Sequence, residues 1–327
     1  MSRWALGIDL GGTSIKASVV GEDTGLLSGT NIPTAKGSGP GGIIMQLSAI
    51  VADLYRSASV TLDPADFTGV GLGAPGAVDS EKGLLSYPPN LPGWSVYPLR
   101  DELQQAVRKE LLFDVPVFID NDANAAAYGE AVYGAGRAFQ DFLMVTLGTG
   151  VGGGIILNRK LYRGPQGTAG EIGFMIIDFE GPGLHAGIRG TIESMIGKTR
   201  IVELATRMIA SSPTGSLAFR LCGNDYSRLS PRHLEQAARE GDEVALAVWD
   251  RVGAILGVGL ANVTALMDIR KFVIGGGISA VGHFIFDPAL ATLRQRTLPS
   301  MHDGLEIVPA LLGNKAGMYG AAALCFG

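Results

Sequence analysis

The sequence predicts an α/β fold with two duplicated domains and a cleft between them. Two strand–turn–strand segments carry this prediction, because both have a glycine-rich tip, at Gly11-Gly12 and again at residues 148–153. Self-similarity of this kind is typical of a repeated structural unit. The chain of 327 residues is also longer than one compact core usually requires, which favours two domains.

The strands and helices of the first part follow from the spacing of apolar residues. The segments on either side of Gly11-Gly12 are strand-like, so they predict a β-hairpin. Leu99, Leu103 and Val107 recur at every fourth position, which is the spacing of one helix face. Strands are expected at residues 4–10, 14–20, 67–73 and 117–119, and helices at residues 43–57, 98–112 and 123–133.

The second part repeats the opening hairpin and then becomes largely helical. Strands are expected at residues 142–147, 155–157 and 271–274, and helices at residues 191–210, 232–239, 244–267 and 314–324. We place the domain boundary near residue 119. The expected domains are a small one over residues 1–119 and a larger one over residues 120–313, with residues 314–327 returned to the small domain.

Composition and charge exclude several classes of protein. Hydrophobic residues make up 46% and charged residues 17% of the chain, which is a globular composition and not a disordered one. A net charge of -5 without a basic stripe argues against nucleic acid as a partner. The most apolar segment, 244–267, contains Asp250 and Arg251, so it predicts a buried helix and no membrane partner. Cys222 and Cys325 lie far apart, which fits a reducing cytoplasm.

Each glycine-rich hairpin is a candidate phosphate-binding loop. Gly11 and Gly12 carry no side chains and Thr13 adds a hydroxyl, so a phosphate could lie against their N–H groups, although a plain turn explains the glycines equally well. The second tip, 148–153, matches G-x-G-x-x-G, but a strand and not a helix follows it, which excludes a dinucleotide fingerprint. Two such hairpins together favour a phosphate clamp.

The turn Asp120-Asn121-Asp122 is a candidate for general base chemistry. It follows a strand and precedes a helix, where Asp and Asn are preferred as N-caps without any further function. Three polar residues exceed what one cap needs, and a carboxylate at the mouth of a cleft can accept a proton from a hydroxyl. The four histidines share no metal-ligand spacing.

The motifs in their order resemble those of the ROK family, which contains sugar kinases and repressors. They are D-L-G-G-T at 9–13, G-L-G-A-P-G-A-V-D at 71–79, P-N-L-P-G-W at 89–94, N-D-A-N at 121–124, L-G-T-G-V-G-G at 147–153, G-E-I-G at 170–173 and G-G-G at 275–277. The resemblance covers nearly the whole chain and implies the actin-like ATPase (ribonuclease H-like) fold.

The resemblance also implies a role for each candidate residue. Asp122 is the expected catalytic base. The expected ligands of the sugar hydroxyls are Asn90, Asn121, Asp122, Glu171 and Glu193. The expected ATP-binding residues are Asp9, Gly11, Gly12 and Thr13 in the first loop, Gly148, Thr149 and Gly150 in the second, and Gly275, Gly276 and Gly277 near the adenosine. Asp9 is expected to hold Mg²⁺, mainly through water.

One segment departs from the family pattern. Most members have a zinc site of one His and three Cys, and its positions fall here on Phe174, Leu184, Ala186 and Thr191. These side chains do not supply the thiolate or imidazole that Zn²⁺ prefers, so we expect no zinc. Burial of Phe174 and Leu184 would then have to stabilise the segment in place of the metal.

The resemblance therefore predicts a cytoplasmic, ATP- and Mg²⁺-dependent glucokinase that phosphorylates the 6-hydroxyl of glucose. The sequence leaves other sugars open, namely N-acetylmannosamine, N-acetylglucosamine, fructose and allose. A sugar-responsive repressor is the other alternative, but the first phosphate strand begins at Trp4, ahead of which we find no helix-turn-helix. The expected partners are a sugar and ATP, and the expected assembly is a homodimer or a higher homo-oligomer.

Overall fold

A computed structural model describes residues 2–89, 91–183, 187–212 and 215–327. The chain divides into two compact units. The first contains residues 1–140, 154–170 and 311–327, and the second contains residues 141–153 and 171–310. Whether residues 1–119 and 120–313 behave as separate domains stays a prediction.

Strands and helices follow one another in groups along the chain. The strands are β1 (Trp4–Leu10), β2 (Ser14–Gly21), β3 (Gly25–Pro33), β4 (Phe67–Ala74), β5 (Ala77–Asp79), β6 (Leu84–Ser86), β7 (Val96–Tyr97), β8 (Val117–Asn121), β9 (Phe142–Leu147), β10 (Val151–Leu157), β11 (Lys160–Tyr162), β12 (Lys271–Gly275) and β13 (Glu306–Pro309). The helices are α1 (Gly39–Ala58), α2 (Leu99–Leu111), α3 (Asp122–Tyr133), α4 (Ile192–Ile196), α5 (Lys198–Ala210), α6 (Leu217–Leu221), α7 (Pro231–Arg239), α8 (Glu243–Met267), α9 (His283–Gln295) and α10 (Ala316–Ala323).

Two five-stranded sheets share one strand order. The first runs β3-β2-β1-β4-β8 and the second runs β11-β10-β9-β12-β13. In the first, β2 pairs antiparallel with β1 and β3, while β4 pairs parallel with β1 and β8. In the second, β10 and β11 are antiparallel, while β12 is parallel to β9 and β13. This repeated order confirms the predicted α/β duplication, and a third, small sheet is formed by β5, β6 and β7.

The core of the first unit lies between its sheet and its helices. Trp4, Leu6 and Ile8 of β1 are fully buried against apolar residues of α1 such as Leu47. Burial of side chains of this size is the main source of stability in such a core. The Trp4 indole also donates a hydrogen bond of 2.8 Å to the backbone oxygen of Asp63, so its one polar group is satisfied.

The final helix, α10, packs on the first unit through glycines. A Cβ on Gly7 of β1 would overlap the backbone oxygen of Met318, and a Cβ on Gly320 would overlap the backbone oxygen of Ala125 in α3. The absence of side chains at these two positions therefore allows α10 to approach β1 and α3 backbone to backbone. Ala5, Val20, Ala322 and Cys325 form a small buried cluster at the same place.

A buried carboxylate holds the segment before α10. Glu130 of α3 is fully buried. Its two oxygens accept hydrogen bonds from the backbone N–H groups of Ala135 at 2.7 Å, Leu311 at 3.1 Å and Leu312 at 2.8 Å. Hydrogen bonds to an ionised group are stronger than neutral ones, so this carboxylate fixes the path of the chain into the first unit.

The prediction of one helix over residues 191–210 is wrong, because the structure has two helices there, α4 and α5. Gly197 separates α4 from α5 with an extended backbone, φ -60° and ψ 155°. The strands β3, β5, β6, β7, β11 and β13 and the helices α6 and α9 were not predicted, and α9 contains Pro288. The last helix begins at Ala316, after a 3-10 turn at Gly313–Lys315.

Within the described ranges, α8 is the one helix that is long and apolar enough to cross a membrane by length and composition alone. Of its apolar window, 61% is buried inside the protein. Its buried side chains include Trp249, Leu256 and Leu260. This burial is what the sequence led us to expect of a core helix, and a core helix passes the same test of length and composition.

Candidate active site

The first glycine loop is held in shape by its own strands and by Thr34. Asp9 pairs with Lys16 in the β1–β2 ladder, and the N–H of Gly11 donates to the oxygen of Ser14 at 3.0 Å. The Thr34 hydroxyl donates to the oxygen of Gly11 at 2.6 Å, and its N–H donates to the oxygen of Thr13 at 3.0 Å. A loop fixed in this way presents its backbone in a constant form, as phosphate binding requires.

Asp9 lies in the first unit beside this loop and next to a cation. Its Oδ2 is 3.2 Å from the Lys16 Nζ, and both side chains are partly buried. A Cβ on Gly317 of α10 would lie 3.1 Å from the Asp9 Cγ, so the start of α10 packs against this carboxylate. The Lys16 ammonium also approaches the backbone oxygen of Asn314 at 3.5 Å.

The second glycine loop, in the second unit, lies against Glu193. The Glu193 Oε2 accepts a hydrogen bond of 2.8 Å from the N–H of Val151, and a Cβ on Gly150 would overlap the same oxygen. The oxygen of Gly148 accepts from the N–H of Lys198 at 3.2 Å, at the start of α5. A side chain at position 150 would therefore have to displace the Glu193 carboxylate, a contact that the sequence did not reveal.

Gly275 is the last residue of β12 and pairs with Thr146 near the end of β9, and Gly276 and Gly277 follow it. Gly276 has φ +86°, and a Cβ there would overlap the backbone oxygen of Leu147. The same oxygen accepts from the N–H of Ile278 at 3.1 Å. Among the described residues, chain neighbours aside, no atom lies within 4 Å of where a Cβ of Gly277 would be, and the same holds for Gly148. The structure thus brings this triplet and the second glycine loop together.

The candidate base lies at the turn from β8 into α3. Asn121 caps α3, because its Oδ1 accepts from the N–H groups of Ala123 at 2.9 Å and Asn124 at 3.2 Å. Its Nδ2 donates to the backbone oxygen of Gly76 at 3.0 Å. Asp122 is the first helical residue and is half-buried. Asn121 therefore has the capping role that the sequence allowed for this turn, and it orients the residue beside it.

Asp120 is a site residue that sequence reasoning treated as part of a cap. It is 1% exposed, and its Oδ2 accepts a hydrogen bond of 2.6 Å from the Nε of Arg163. Its Oδ1 accepts from the N–H of Asn121 at 2.8 Å and from the Nδ2 of Asn124 at 2.9 Å. The polar turn itself was visible in the sequence, but the sequence does not reveal that Asp120 is buried or that Arg163 is its partner.

Glu171 and Glu193 lie close enough in the second unit to influence each other. Glu171 precedes a 3-10 turn at Ile172–Phe174, and a Cβ on Gly173 would overlap the backbone oxygen of Val151. The same Val151 donates to Glu193, so one residue of β10 contacts both segments. Desolvation and then the negative charge of Glu193 raise the pKa of the Glu171 carboxyl, although much of the residue is exposed.

The structure describes part of the segment that corresponds to the zinc site of the family. Phe174 is 43% exposed, so the expected burial of this side chain is wrong for the single chain. Thr191 is fully buried, and its hydroxyl oxygen caps α4 by accepting from the N–H of Ser194 at 3.1 Å. Leu184 and Ala186 lie outside the described residues, as does the candidate sugar ligand Asn90. In the described part of the chain, no three His, Cys, Asp or Glu side chains are grouped as a metal site.

Comparison with known proteins shows the family of this chain. The sequence model of the ROK family matches residues 5–326. The chain belongs to the ROK family. A glucokinase of Halalkalibacterium halodurans is 35% identical over 98% of this ROK chain and 94% of the relative. A glucokinase of Thermotoga maritima is 33% identical over 98% of the chain and 96% of the relative.

A solved structure of the same family is also similar. It is a ROK family glucokinase from Streptomyces griseus in complex with glucose and AMPPNP, with a TM-score of 0.81 and 34% identity, covering 98% of both chains. The ROK sugar kinases have the actin-like ATPase fold, so the predicted fold class is confirmed.

The candidate residues of this ROK chain fall into two groups. Those placed in the first unit are Asp9, Gly11, Gly12, Thr13, Asn121 and Asp122. Those placed in the second unit are Gly148, Thr149, Gly150, Glu171, Glu193, Gly275, Gly276 and Gly277. Each unit therefore holds one glycine loop and at least one candidate sugar ligand.

Proposed function

We propose that this ROK protein is an ATP-dependent hexose kinase that phosphorylates the 6-hydroxyl of glucose. The observation that carries the proposal is its similarity, over 98% of both chains, to a glucokinase bound to glucose and an ATP analogue. Two relatives named glucokinase, 35% and 33% identical over nearly the whole chain, support the same activity. ATP is the phosphoryl donor and the hexose is the acceptor.

Asp122 is the proposed catalytic base. Its carboxylate would accept a hydrogen bond from the 6-hydroxyl, orient that oxygen toward the γ-phosphorus and take up the proton as the P–O bond forms. An ordinary Asp is a weak base, so orientation contributes as much as proton uptake. The cap made by Asn121 supports this role, because it fixes the turn that carries Asp122.

The two glycine loops are the proposed phosphate sites, at Gly11, Gly12 and Thr13 and at Gly148, Thr149 and Gly150. Their backbone N–H groups would stabilise negative charge on the phosphates, since phosphoryl transfer depends on positioning and charge neutralisation. Gly275, Gly276 and Gly277 would border the adenosine. This placement is supported by the close contact of Gly276 with the backbone of Leu147, the residue directly before the second loop.

Asp9 is the residue that would hold Mg²⁺. A single partly buried carboxylate beside a phosphate loop suits this ion, which keeps several waters and takes one or two carboxylates. When bound, Mg²⁺ would neutralise charge on the ATP phosphates. The Lys16 Nζ lies 3.2 Å from the Asp9 Oδ2, so this ammonium would hold the carboxylate at the loop when Mg²⁺ is not bound.

Asn90, Asn121, Glu171 and Glu193 are the proposed ligands of the other sugar hydroxyls. In support, Glu193 accepts a hydrogen bond from the N–H of Val151, and the backbone at Gly173, two residues after Glu171, packs against the oxygen of the same Val151. Carboxylates accept hydrogen bonds from hydroxyls, as sugar recognition requires. We further propose that the protein binds no zinc, nucleic acid or membrane, that it works in the cytoplasm and that it is a homodimer or a higher homo-oligomer.

A panel of sugars tests the proposed substrate. The purified protein is given ATP and Mg²⁺ with glucose, N-acetylmannosamine, N-acetylglucosamine, fructose or allose in turn, and ADP release is measured. We expect the highest kcat/KM with glucose. A higher kcat/KM with another of these sugars would correct the substrate but keep the kinase, whereas ADP release with none of them would contradict the proposed function.

A further inference from the structure

Asp120 is a buried carboxylate that the proposed mechanism does not use. It is the next-to-last residue in the ladder of β8, two residues before the proposed base, and it lies opposite Gly73 of β4. Its Oδ1 accepts from the N–H of Asn121 and from the side chain of Asn124, at 2.8 and 2.9 Å. These bonds join the end of the strand to the first turn of α3, so the carboxylate fixes the backbone that presents Asp122.

Arg163 supplies the charge that balances Asp120. Its Nε donates to the Asp120 Oδ2 at 2.6 Å, and the arginine side chain is 34% exposed while the aspartate side chain is 2% exposed. Removing one partner of such a pair leaves a charge that is buried and uncompensated. The position of the turn therefore depends on a residue that lies far from it in sequence.

Arg163 also begins a compact loop. Its backbone oxygen accepts from the N–H of Ala169 at 3.0 Å, which closes residues 163–169 on themselves. Gly167 within the loop has φ +78°, and a Cβ there would lie 3.2 Å from the backbone oxygen of Val78. In sequence the loop leads directly into Gly170 and the proposed sugar ligand Glu171. One ion pair thus ties the turn of the base to the loop that precedes a second site residue.

We propose that Asp120 and Arg163 are positioning residues for phosphoryl transfer, an inference that rests on the proposed function. Neither side chain is assigned a contact with substrate. The pair holds the turn of Asn121 and Asp122 in the orientation that transfer requires, and it holds the 163–169 loop against that turn. A displacement of the base by about 1 Å lowers turnover roughly 100-fold, because reacting groups must be closely aligned.

Three single variants test the pair. Arg163→Met removes the charge and the hydrogen bond, Arg163→Lys keeps the charge, and Lys160→Met is a matched control on exposed β11. We expect Arg163→Met to lower kcat about 100-fold, with the KM for ATP changed less than about 3-fold. Arg163→Lys should recover about a tenth of wild-type kcat, because an ammonium can replace one N–H donor but not the guanidinium geometry. Lys160→Met should keep wild-type kcat.

A double variant separates positioning from stability. Asp120→Asn/Arg163→Met removes both charges, so its melting temperature should return toward that of the wild type while kcat stays low, because turn and loop are no longer joined. If the double variant recovered both kcat and melting temperature, the ion pair would contribute only to stability, and the inference would be overturned. Wild-type kcat in Arg163→Met would also overturn it. An inactive wild-type protein, by contrast, would overturn the proposed function and the inference with it.

Discussion

At the scale of single residues, the proposed chemistry depends on one carboxylate. We expect Asp122→Asn to keep sugar and ATP binding but to lower kcat by roughly 10² to 10⁴, the usual contribution of a general base. The amide keeps the size of the side chain and one acceptor oxygen but does not take up the proton. Steady-state kinetics and titration calorimetry measure the two effects. A variant with more than about a tenth of wild-type turnover would show that Asp122 is not the base.

The acidic pair Glu171 and Glu193 predicts a pH effect on sugar use. Desolvation and the charge of Glu193 raise the pKa of Glu171, and the protonated carboxyl is a poorer acceptor for sugar hydroxyls. We therefore expect kcat/KM for glucose to fall as pH drops through this raised pKa. Glu193→Gln removes only the second cause and keeps an acceptor for Val151, so it should shift this decrease to lower pH.

The same pKa shift has a defined sign for folding stability. The folded state holds the Glu171 proton more tightly than the unfolded state does, so its contribution to stability is fully present below the ordinary glutamate pKa and is lost as pH rises through the raised value. Thermal melts over this pH range should show a smaller loss in Glu171→Gln than in the wild type. For the kinetic prediction, a pH profile of kcat/KM in Glu193→Gln that matches the wild-type profile would contradict the effect of the Glu193 charge on the pKa of Glu171.

Some site residues could be predicted from the sequence and others could not. Asn121 and Asp122 could be placed at a strand-to-helix turn because Asp and Asn are preferred there. The contact of Glu193 with Gly150 could not be predicted, because 43 positions separate the two residues and only packing unites them. The exposure of Phe174 was missed for a similar reason, since an apolar side chain in an irregular segment carries no periodic pattern.

At the scale of elements, the close packing of α10 on α3 predicts a strong effect of a single methyl group. Gly320→Ala places a Cβ against the backbone oxygen of Ala125, which cannot move without disturbing α3. We expect a loss of about 1–3 kcal/mol in the free energy of unfolding, as for other overpacked sites. Denaturant unfolding measures it.

Gly41→Ala is the matched control for that prediction. Gly41 lies in α1, and in the described parts of the chain no atom beyond its neighbours and its own helix backbone lies within 4 Å of where its Cβ would be. Alanine also favours a helix over glycine, so this variant should be as stable as the wild type or slightly more stable. Equal stability of Gly320→Ala and the wild type would contradict the proposed contact between α10 and α3.

Elements with a clear apolar period were predictable, and those without one were not. The bounds of α2 and α8 match the sequence expectation within one residue at each end, because their apolar positions recur regularly. The small sheet of β5, β6 and β7 was missed because these strands are two or three residues long. The division between α4 and α5 falls at Gly197, where a Cβ would lie 2.9 Å from the backbone oxygen of Glu193 and 3.2 Å from that of Thr149, contacts that no sequence pattern shows.

At the scale of the whole molecule, the missing zinc ligands predict a metal-independent fold. Because Phe174 and Thr191 occupy two of the family ligand positions and offer neither thiolate nor imidazole, we expect no stoichiometric zinc in the purified protein. Treatment with EDTA, followed by restoration of Mg²⁺, should leave kcat and melting temperature unchanged. Elemental analysis measures zinc directly. About one zinc per chain would contradict the prediction and the placement of the four ligand positions.

The glycine-mediated contact between β1 and α10 has a consequence for synthesis of the chain on the ribosome. The strand that begins the first unit is made at the outset, but its covering helix lies after all of the second unit, residues 171–310 included. At an elongation rate of about 5 to 20 residues per second, the ribosome needs roughly 15 to 60 seconds for the roughly 300 intervening residues. Throughout that interval Ala5 and Val20 lack the Ala322 and Cys325 side chains that bury them. The nascent first unit therefore stays incomplete until the final codons are read, which makes it a natural substrate for chaperones that bind apolar surface.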